Sequence, residues 1–319
     1  MKNVNFVLAV GSVDGACTAA AVLRNAHPHA DIQFCQAFTV DKLNPYAWGE
    51  QKTVLFVDLA VNNSNPEMTV DLLRRVKDAG HTIYGVLDEH NAEDWYQAFN
   101  KAGIPFDDLI IKPVSQENSN VKSSGALLLS VLGNEIDEQT RQLCNAADAG
   151  DRMDFTTHFG GIVNQAVKSK ITDDSRRVYL AKHLAKHQDA DEKILSWIAE
   201  YEIILATHQE VMEAKIELGD RIVRINTVSK IIDMTTLMKE VYTLGYDVVV
   251  IEGEMFDKTA SAKTRQIAFW CRPGLKLDVV ATLEAASVSC SGFSTKANVR
   301  PQDEQAALVA VRQALLLIS

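Results

Sequence analysis

The sequence predicts an α/β protein in which an N-terminal domain is built on a doubly wound, mostly parallel sheet. A helical connector and a smaller α/β C-terminal domain follow. Short runs rich in Val, Ile and Phe alternate with segments of helical periodicity, a pattern typical of parallel strands covered on both faces. One long amphipathic stripe then separates two strand-rich regions. The 319 residues, 47% of them apolar, suffice for two domains. We place the divisions at 1–175, 176–219 and 220–319.

The N-terminal region contains five strand-like runs, each followed by a helical or turn signal. The runs are VNFVLAV, IQFCQAF, TVLFVDLA, TIYGVLDEH and DLIIK. Helices are predicted over about 16–26, from Pro66 to Ala79, over 92–103, over 122–132 and over 137–149. Regular alternation of this kind predicts βαβ units, which place successive strands side by side in one sheet.

After the N-terminal region, the sequence pattern changes first to that of one long helix and then back to alternating strands and helices. Apolar residues recur every three or four positions along one long helix: Ile194, Trp197, Ile198, Tyr201, Leu205, His208 and Met212. Strand signals then return in RIVRINT, DVVVIEG, RQIAFWCRPG and VSCSGF. Helices are predicted between them at about 235–244 and 277–285, and a last one begins at Pro301.

Composition excludes several classes of protein. The formal net charge of −10 argues against binding to long duplex nucleic acid, which would favour the opposite sign. No apolar run is long enough to span a membrane. The five scattered cysteines predict reduced thiols in a cytoplasmic protein. A homodimer is compatible with the sequence. His183 and His187, four residues apart without an intervening Glu, are interpreted as a solvated helix face.

Acidic residues end three of the predicted strands. Asp14 follows the first strand, Asp58 ends LFVD and Asp88 lies in VLDEH, while Asp148 follows a helix and could reach the same edge. Ligands of open α/β sheets bind at the carboxyl ends of strands. A single acid there is also a common helix cap or turn former. Several carboxylates facing one cleft repel each other unless a cation lies between them.

This order of motifs resembles the DHH phosphoesterase superfamily, which includes single-strand exonucleases, phosphodiesterases of short RNAs and cyclic dinucleotides, pyrophosphatases and exopolyphosphatases. The C-terminal region, with DVVVIEG, RQIAFWCRPG and STKAN in order, resembles the DHH-associated domain. The resemblance covers nearly the whole chain. The family's first motif, H-x-D-x-D-G, reads Val10, Ser12, Asp14 and Gly15 at the matching places, so its His and first Asp are absent.

The remaining motifs are partly kept. Asp58 matches the acid of the second motif, and D-H-H reads Asp88-Glu89-His90. The acid of the fourth motif matches Asp148 or, as a second choice, Asp151. The resemblance implies that one of the family's two metal sites is lost, because Val10 cannot bind a metal and Ser12 is a weak ligand. The resemblance implies that the other site is kept and binds one Mn²⁺ or Mg²⁺ through Asp14, Asp58, Glu89 and Asp148.

The same resemblance implies a small phosphate-bearing substrate, such as a short oligonucleotide, a cyclic dinucleotide or polyphosphate, bound in an interdomain cleft. The metal or a carboxylate such as Asp88 would activate water, and His90 and Arg272 would stabilise negative charge. Ser291 and Gly292 match the family's Gly-rich substrate loop, whose His is replaced by Phe293. His90 and Arg272 are equally compatible with ordinary solvated positions. The predicted function is a metal-dependent phosphoester or phosphoanhydride hydrolase. The alternative is a catalytically inactive relative that binds a nucleotide or a protein partner.

Overall fold

The computed structural model describes residues 1–106, 110–111, 122–133, 136–219, 221–257 and 262–318. The chain divides into two compact units, Met1–Ala199 and Glu200–Ser319, called here the first and second unit. The division falls inside one long helix. The three-part division at 175 and 219 stays a prediction.

The first unit contains a five-stranded sheet in the order β2-β1-β3-β4-β5, with every neighbouring pair parallel. Its strands are β1 Phe6–Val10, β2 Asp31–Cys35, β3 Thr53–Val57, β4 Thr82–Leu87 and β5 Ile110–Ile111. Most residues of β1 and β3 are buried, which explains their continuous apolar runs. The predicted doubly wound parallel sheet is therefore confirmed.

Helices cover both faces of this sheet. They are α1 Val13–Asn25, α2 Glu67–Asp78, α3 Ala92–Ala102, α4 Ser124–Leu132, α5 Glu138–Asp151, α6 His158–Lys168, α7 Asp174–Leu184 and α8 Glu192–Glu213. One core contains residues of α1 and α4 to α7, and the other contains residues of α2 and α3. Small buried side chains such as Ala20 and Ala147 allow helices of the first core to pack closely. Helix α6 was not predicted. A helix containing His183 was expected, but α7 ends at Leu184, so that His187 lies beyond it, and the His183 side chain is only 14% exposed.

The second unit contains a six-stranded mixed sheet in the order β10-β11-β9-β8-β7-β6, in which the β7–β8 pair is parallel. Its strands are β6 Ile216–Glu217, β7 Ile222–Asn226, β8 Val248–Asp257, β9 Ala262–Cys271, β10 Ser291–Phe293 and β11 Lys296–Val299. Its helices are α9 Met234–Thr243, α10 Val279–Ala285 and α11 Glu304–Leu316. This arrangement agrees with the predicted smaller α/β domain.

Two further expectations concern the chain as a whole. In the described residues, no helix combines the length and apolar character that a membrane crossing requires. All five cysteines are free thiols, and four of them are buried. Burial raises the pKa of the Cys35 thiol to about 12, which makes it a poor nucleophile.

Candidate functional site

The carboxyl edge of the first sheet brings three loops together. Strand β3 lies between β1 and β4, so the segments that follow these three strands are neighbours. These segments carry Asp14, Asp58 and the run Asp88-Glu89-His90. The predicted convergence at this edge follows directly from the strand order.

Asp14 lies in the first turn of α1 and is 3% exposed. Its Oδ1 accepts hydrogen bonds from the hydroxyls of Thr18 (3.0 Å) and Ser124 (2.7 Å). Its Oδ2 accepts from the backbone N–H of Ser124 at 2.9 Å. Burial raises the pKa of Asp14 despite these donors. A carboxylate held in this way is fixed in orientation and still has lone pairs for a cation.

Asp58 directly follows β3 with a φ of 55°, a left-handed conformation that Asp tolerates better than most residues. Its Oδ2 accepts a hydrogen bond from Ser12 Oγ, and Ser12 also caps α1 by accepting from Gly15 N at 2.8 Å. Burial, followed by the charges of Asp14 and Glu89, raises the pKa of Asp58 well above its ordinary value. Such strain and charge crowding are typical of functional sites.

Asp88 orients His90. Asp88 is 1% exposed, and its Oδ1 lies 2.7 Å from His90 Nδ1 while its Oδ2 accepts from Trp95 Nε1 at 2.8 Å. The hydrogen bond to Asp88 is the main cause that raises the pKa of His90 to about 9. The His90 side chain is half exposed. Without a bound cation, its acidic neighbours favour the protonated imidazole at neutral pH.

Glu89 is the least satisfied member of the group. Its Oε2 is buried and has no hydrogen-bond partner among the described residues, and its Oε1 lies 3.4 Å from His90 Nδ1. Burial, together with the charges of Asp14 and Asp88, raises the pKa of Glu89 to about 8. An unpartnered buried carboxylate oxygen is costly unless a proton or a cation satisfies it.

Helix α5 supplies a further acid near Asp14 and Glu89, and this acid is Asp151 rather than Asp148. Asp151 offers an oxygen within 4.8 Å of oxygens from Asp14 and Glu89. Asp148 instead accepts from Ser123 Oγ at 3.1 Å and forms an ion pair with Arg152. It belongs to neither group of candidate metal ligands in the described residues.

Two groups of candidate ligands share Glu89. One consists of Asp58, Asp88, Glu89 and His90, and the other consists of Asp14, Glu89 and Asp151, with the ligand atoms of each group within 4.8 Å of one another. We call the set Asp14, Asp58, Glu89 and Asp151 the carboxylate cluster. Its oxygen-rich composition and the unpartnered Glu89 Oε2 fit a hard divalent cation.

The predicted substrate residues of the second unit lie near strand ends and at a sheet edge. Arg272 directly follows β9 and pairs with Asp247 at 2.8 Å. Ser291 and Gly292 lie on the exposed edge strand β10. A side chain at Gly292 would lie 2.0 Å from the Lys296 carbonyl, so glycine is required there. Their role in substrate binding stays a prediction.

The sequence did not predict three residues that hold the site in place. Ser124 holds Asp14, Trp95 holds Asp88, and Arg177 donates to the carbonyl of Gly11 at 2.9 Å. The Ser-Ser-Gly start of α4 is a readable helix-cap signal and could have indicated Ser124. Trp95 and Arg177 carry no such signal, because each fits an ordinary helical pattern.

Comparison with known proteins supports the fold. No family model matches the sequence, and a search of curated proteins finds no match. The structure is similar to a pGpG-specific phosphodiesterase, PggH, from Vibrio cholerae, with a TM-score of 0.63 and 12% identity over 98% of this chain and 99% of that one. It is also similar to the DHH domain of a protein described as a member of a family of ribosomal proteins (TM-score 0.56, 12% identity, 99% and 88% covered).

RecJ from Thermus thermophilus, solved in complex with Mn²⁺, matches with a TM-score of 0.53 and 11% identity over 96% of this chain and 52% of that one. At these identities the similarity establishes the fold alone. The similarity of fold extends over nearly the whole chain.

Proposed function

We propose that the protein is a metal-dependent hydrolase of phosphoester or phosphoanhydride bonds that acts on a small phosphate-bearing substrate. The observation that carries the proposal is the carboxylate cluster, in which the buried Asp14 and Asp58, the partly buried Glu89 and the exposed Asp151 come together, and in which Glu89 Oε2 is buried without a hydrogen-bond partner among the described residues. The similar structure of a pGpG-specific phosphodiesterase supports a phosphodiester substrate. The similar structure of RecJ, solved with Mn²⁺, supports a divalent cation such as Mn²⁺. A short oligonucleotide is therefore the favoured substrate.

We assign one cation to the carboxylate cluster, either Mn²⁺ or Mg²⁺. Asp151 replaces Asp148 in the predicted ligand set, because Arg152 and Ser123 already engage both oxygens of Asp148. When bound, a divalent cation supplies polarisation of a phosphoryl oxygen. It would also satisfy Glu89 Oε2 and offset the repulsion between carboxylates that, after burial, raises the pKa of Asp58.

His90 is the chain's own acid in this proposal. Asp88 fixes its Nδ1, so Nε2 is the nitrogen that remains to face a ligand. A protonated Nε2–H can donate to a phosphoryl oxygen or to the leaving oxygen of a substrate. Because His90 and Trp95 engage both oxygens of Asp88, we assign Asp88 to positioning His90 and not to the water activation expected from the sequence.

One observation favours the alternative of an inactive binder. Ser12 stands where the resembled family has an acid, and its hydroxyl donates to Asp58, which engages one oxygen of a proposed ligand. A non-catalytic protein could keep this hydrogen bond and bind a nucleotide without turnover. The two proposals differ in whether the cation promotes hydrolysis.

Calorimetry and an activity panel separate them. Mn²⁺ is titrated into the wild type and into Asp58→Ala, and the wild type is then assayed with Mn²⁺ against a dinucleotide, a cyclic dinucleotide, pyrophosphate and polyphosphate. We expect one bound ion per chain, much weaker binding by Asp58→Ala, and hydrolysis that Asp14→Ala abolishes. Equal Mn²⁺ affinity in the wild type and Asp58→Ala would remove the metal from the proposal. Metal binding without turnover of any substrate would favour the inactive binder.

A further inference from the structure

A second region of the first unit has the chemistry of a ligand site. Two surface cavities of about 910 and 620 Å³ share Lys182, a residue of α7. Both volumes fall in the range of small-molecule sites, roughly 300–1,000 Å³. None of the residues that line them belongs to the carboxylate cluster. This region is therefore separate from the site already described.

The larger cavity carries more positive than negative charge. Its lining includes five side chains that are cationic or become so on protonation: Arg24, His27, His29, Lys182 and Lys186. Its two acids are already engaged. Asp137 caps α5 and receives two hydrogen bonds from Arg24, at 2.9 and 3.0 Å. Asp31 pairs with Lys52 at 3.1 Å and, more loosely, with Lys182 at 3.7 Å. Lys186 is exposed and has no ion pair within the described ranges.

In the smaller cavity, a row of packed aromatic rings, called here the ladder, lies beside Lys182 and Lys193. His187 and His183 lie with ring centroids 4.6 Å apart, and His183 stacks on Tyr179 at 6.0 Å. Lys193 Nζ lies 3.9 Å from the centroid of the Tyr179 ring. His187 is the exposed outer member of the ladder, whereas Trp197 at its base is 8% exposed. One ring therefore remains accessible beside several cations.

We propose that this surface, defined by Lys182, Lys186, His187 and Lys193, binds a short single-stranded oligonucleotide. The lysines would contact phosphates, and the outer face of the His187 ring would stack against a base. Cations interleaved with accessible rings are the recognised means of holding single strands without sequence preference. Two adjacent cavities joined at Lys182 match a ligand of a few nucleotides. The acidic remainder of the chain, at a net charge of −10, restricts binding to short ligands.

The test uses the full chain in EDTA, so that the carboxylate cluster holds no cation and repels anions. The probe is a fluorescein-labelled thymidine tetranucleotide, and its binding is followed by fluorescence anisotropy at several salt concentrations. We expect Lys182→Glu/Lys186→Glu to weaken binding more than tenfold and to flatten the salt dependence. We expect His187→Ala to weaken binding about fivefold or more through lost stacking. Lys239→Glu/Lys276→Glu, an equal charge change at exposed lysines of the second unit, should bind as the wild type does.

Asp58→Ala separates this proposal from the proposed function, because it should lose Mn²⁺ affinity and keep the tetranucleotide. Thermal melting checks that each variant is folded, and Lys182→Gln/Lys186→Gln provides a milder charge change. Equal affinity of Lys182→Glu/Lys186→Glu and the wild type would overturn the proposal. Full displacement by tripolyphosphate, combined with no effect of His187→Ala, would also overturn it, because the ligand would then be free phosphate anions and not a nucleotide chain.

Discussion

The guanidinium of Arg177 is packed directly against the backbone of Gly11. Its Nε donates to the Gly11 carbonyl at 2.9 Å, and a Cβ added at Gly11 would lie 2.4 Å from the same Nε. Its two terminal nitrogens contact the Ile171 carbonyl and Asp174, both at 2.8 Å. Because the Arg177 side chain is only 5% exposed, it fixes the loop that leads to Asp14 from the side of α7.

This contact predicts energetic coupling between the two positions. Gly11→Ala should destabilise the protein by about 1–3 kcal/mol through overpacking. Arg177→Ala should cost about 2 kcal/mol through the loss of buried hydrogen bonds. In the double variant the new methyl group occupies space that the guanidinium has left. Urea unfolding should therefore show a total loss smaller than the sum by about 1 kcal/mol. Strict additivity would contradict the packing described here.

The pair Asp148 and Asp151 offers a matched test of the metal ligands, since both are acids on α5. Asp151→Ala should weaken Mn²⁺ binding at least tenfold, because Asp151 offers an oxygen within 4.8 Å of Asp14 and Glu89. Asp148→Ala should change the affinity less than threefold, because Asp148 is bound to Ser123 and Arg152. Calorimetric titration of both variants measures the difference. The reverse order would return Asp148 to the ligand set.

The stability of the metal-free protein should fall as the pH rises from about 5 to 9. The folded-state pKa of Glu89 is about 8 against an ordinary 4.5, so the native state binds more protons than the unfolded state between these values. The pKa of His90 is about 9 against an ordinary 6.5, and its contribution is lost as the pH rises through 9. Both differences lower the free energy of unfolding with rising pH.

Thermal melting in EDTA across this pH range measures the effect, and Glu89→Gln should make it shallower. Added Mg²⁺ should raise the melting temperature more at pH 8 than at pH 5, because the cation competes with protons for Glu89. A melting temperature that rises towards pH 8 in EDTA would contradict the burial and charge crowding of Glu89.

The sequence predicted that Asp14, Asp58 and Asp88 lie at one edge of the sheet, because the carboxyl ends of parallel strands all lie at that edge. It favoured Asp148 over Asp151, whereas the structure places an oxygen of Asp151 near Asp14 and Glu89. The two acids are three residues apart on one helix, so the choice depends on how α5 is rotated against α1. The sequence also could not predict Arg177, since an arginine in a polar helical segment is usually solvated. Such contacts depend on tertiary packing and leave no periodic pattern in the sequence.

Asp88→Asn should lower the pKa of His90 towards its ordinary value. The asparagine oxygen can still accept from Nδ1, so His90 loses the adjacent negative charge but not this hydrogen bond, whereas Trp95 Nε1 loses its acceptor. An NMR titration of the His90 ring in the metal-free protein measures the shift. Asp94→Asn, a change in the first turn of α3, serves as a control and should leave the titration nearly unchanged. An unaltered His90 pKa in Asp88→Asn would show that Asp88 does not control its protonation.

Gly15 of α1 lies close to the end of β1 and to the carboxylate of Asp58. A Cβ at this position would lie 2.2 Å from the Val10 carbonyl oxygen and 2.9 Å from Asp58 Oδ2. Helix propensity alone would make Gly→Ala favourable by roughly 0.5–1 kcal/mol. Here the obstacle is backbone, which cannot move aside as a flexible side chain can. We therefore expect Gly15→Ala to destabilise the protein by about 2 kcal/mol or more.

Gly161→Ala provides the matched comparison. Gly161 also lies near the start of a helix, α6, and its added Cβ would come no closer than 3.3 Å to the Phe155 carbonyl oxygen. Urea unfolding should show a change within about 1 kcal/mol for this variant. Gly15→Ala should in addition weaken Mn²⁺ binding, because the new methyl group displaces the Asp58 carboxylate, whereas Gly161→Ala should leave it unchanged. If both variants unfold alike and bind Mn²⁺ alike, the close approach of Gly15 to Asp58 does not constrain the site.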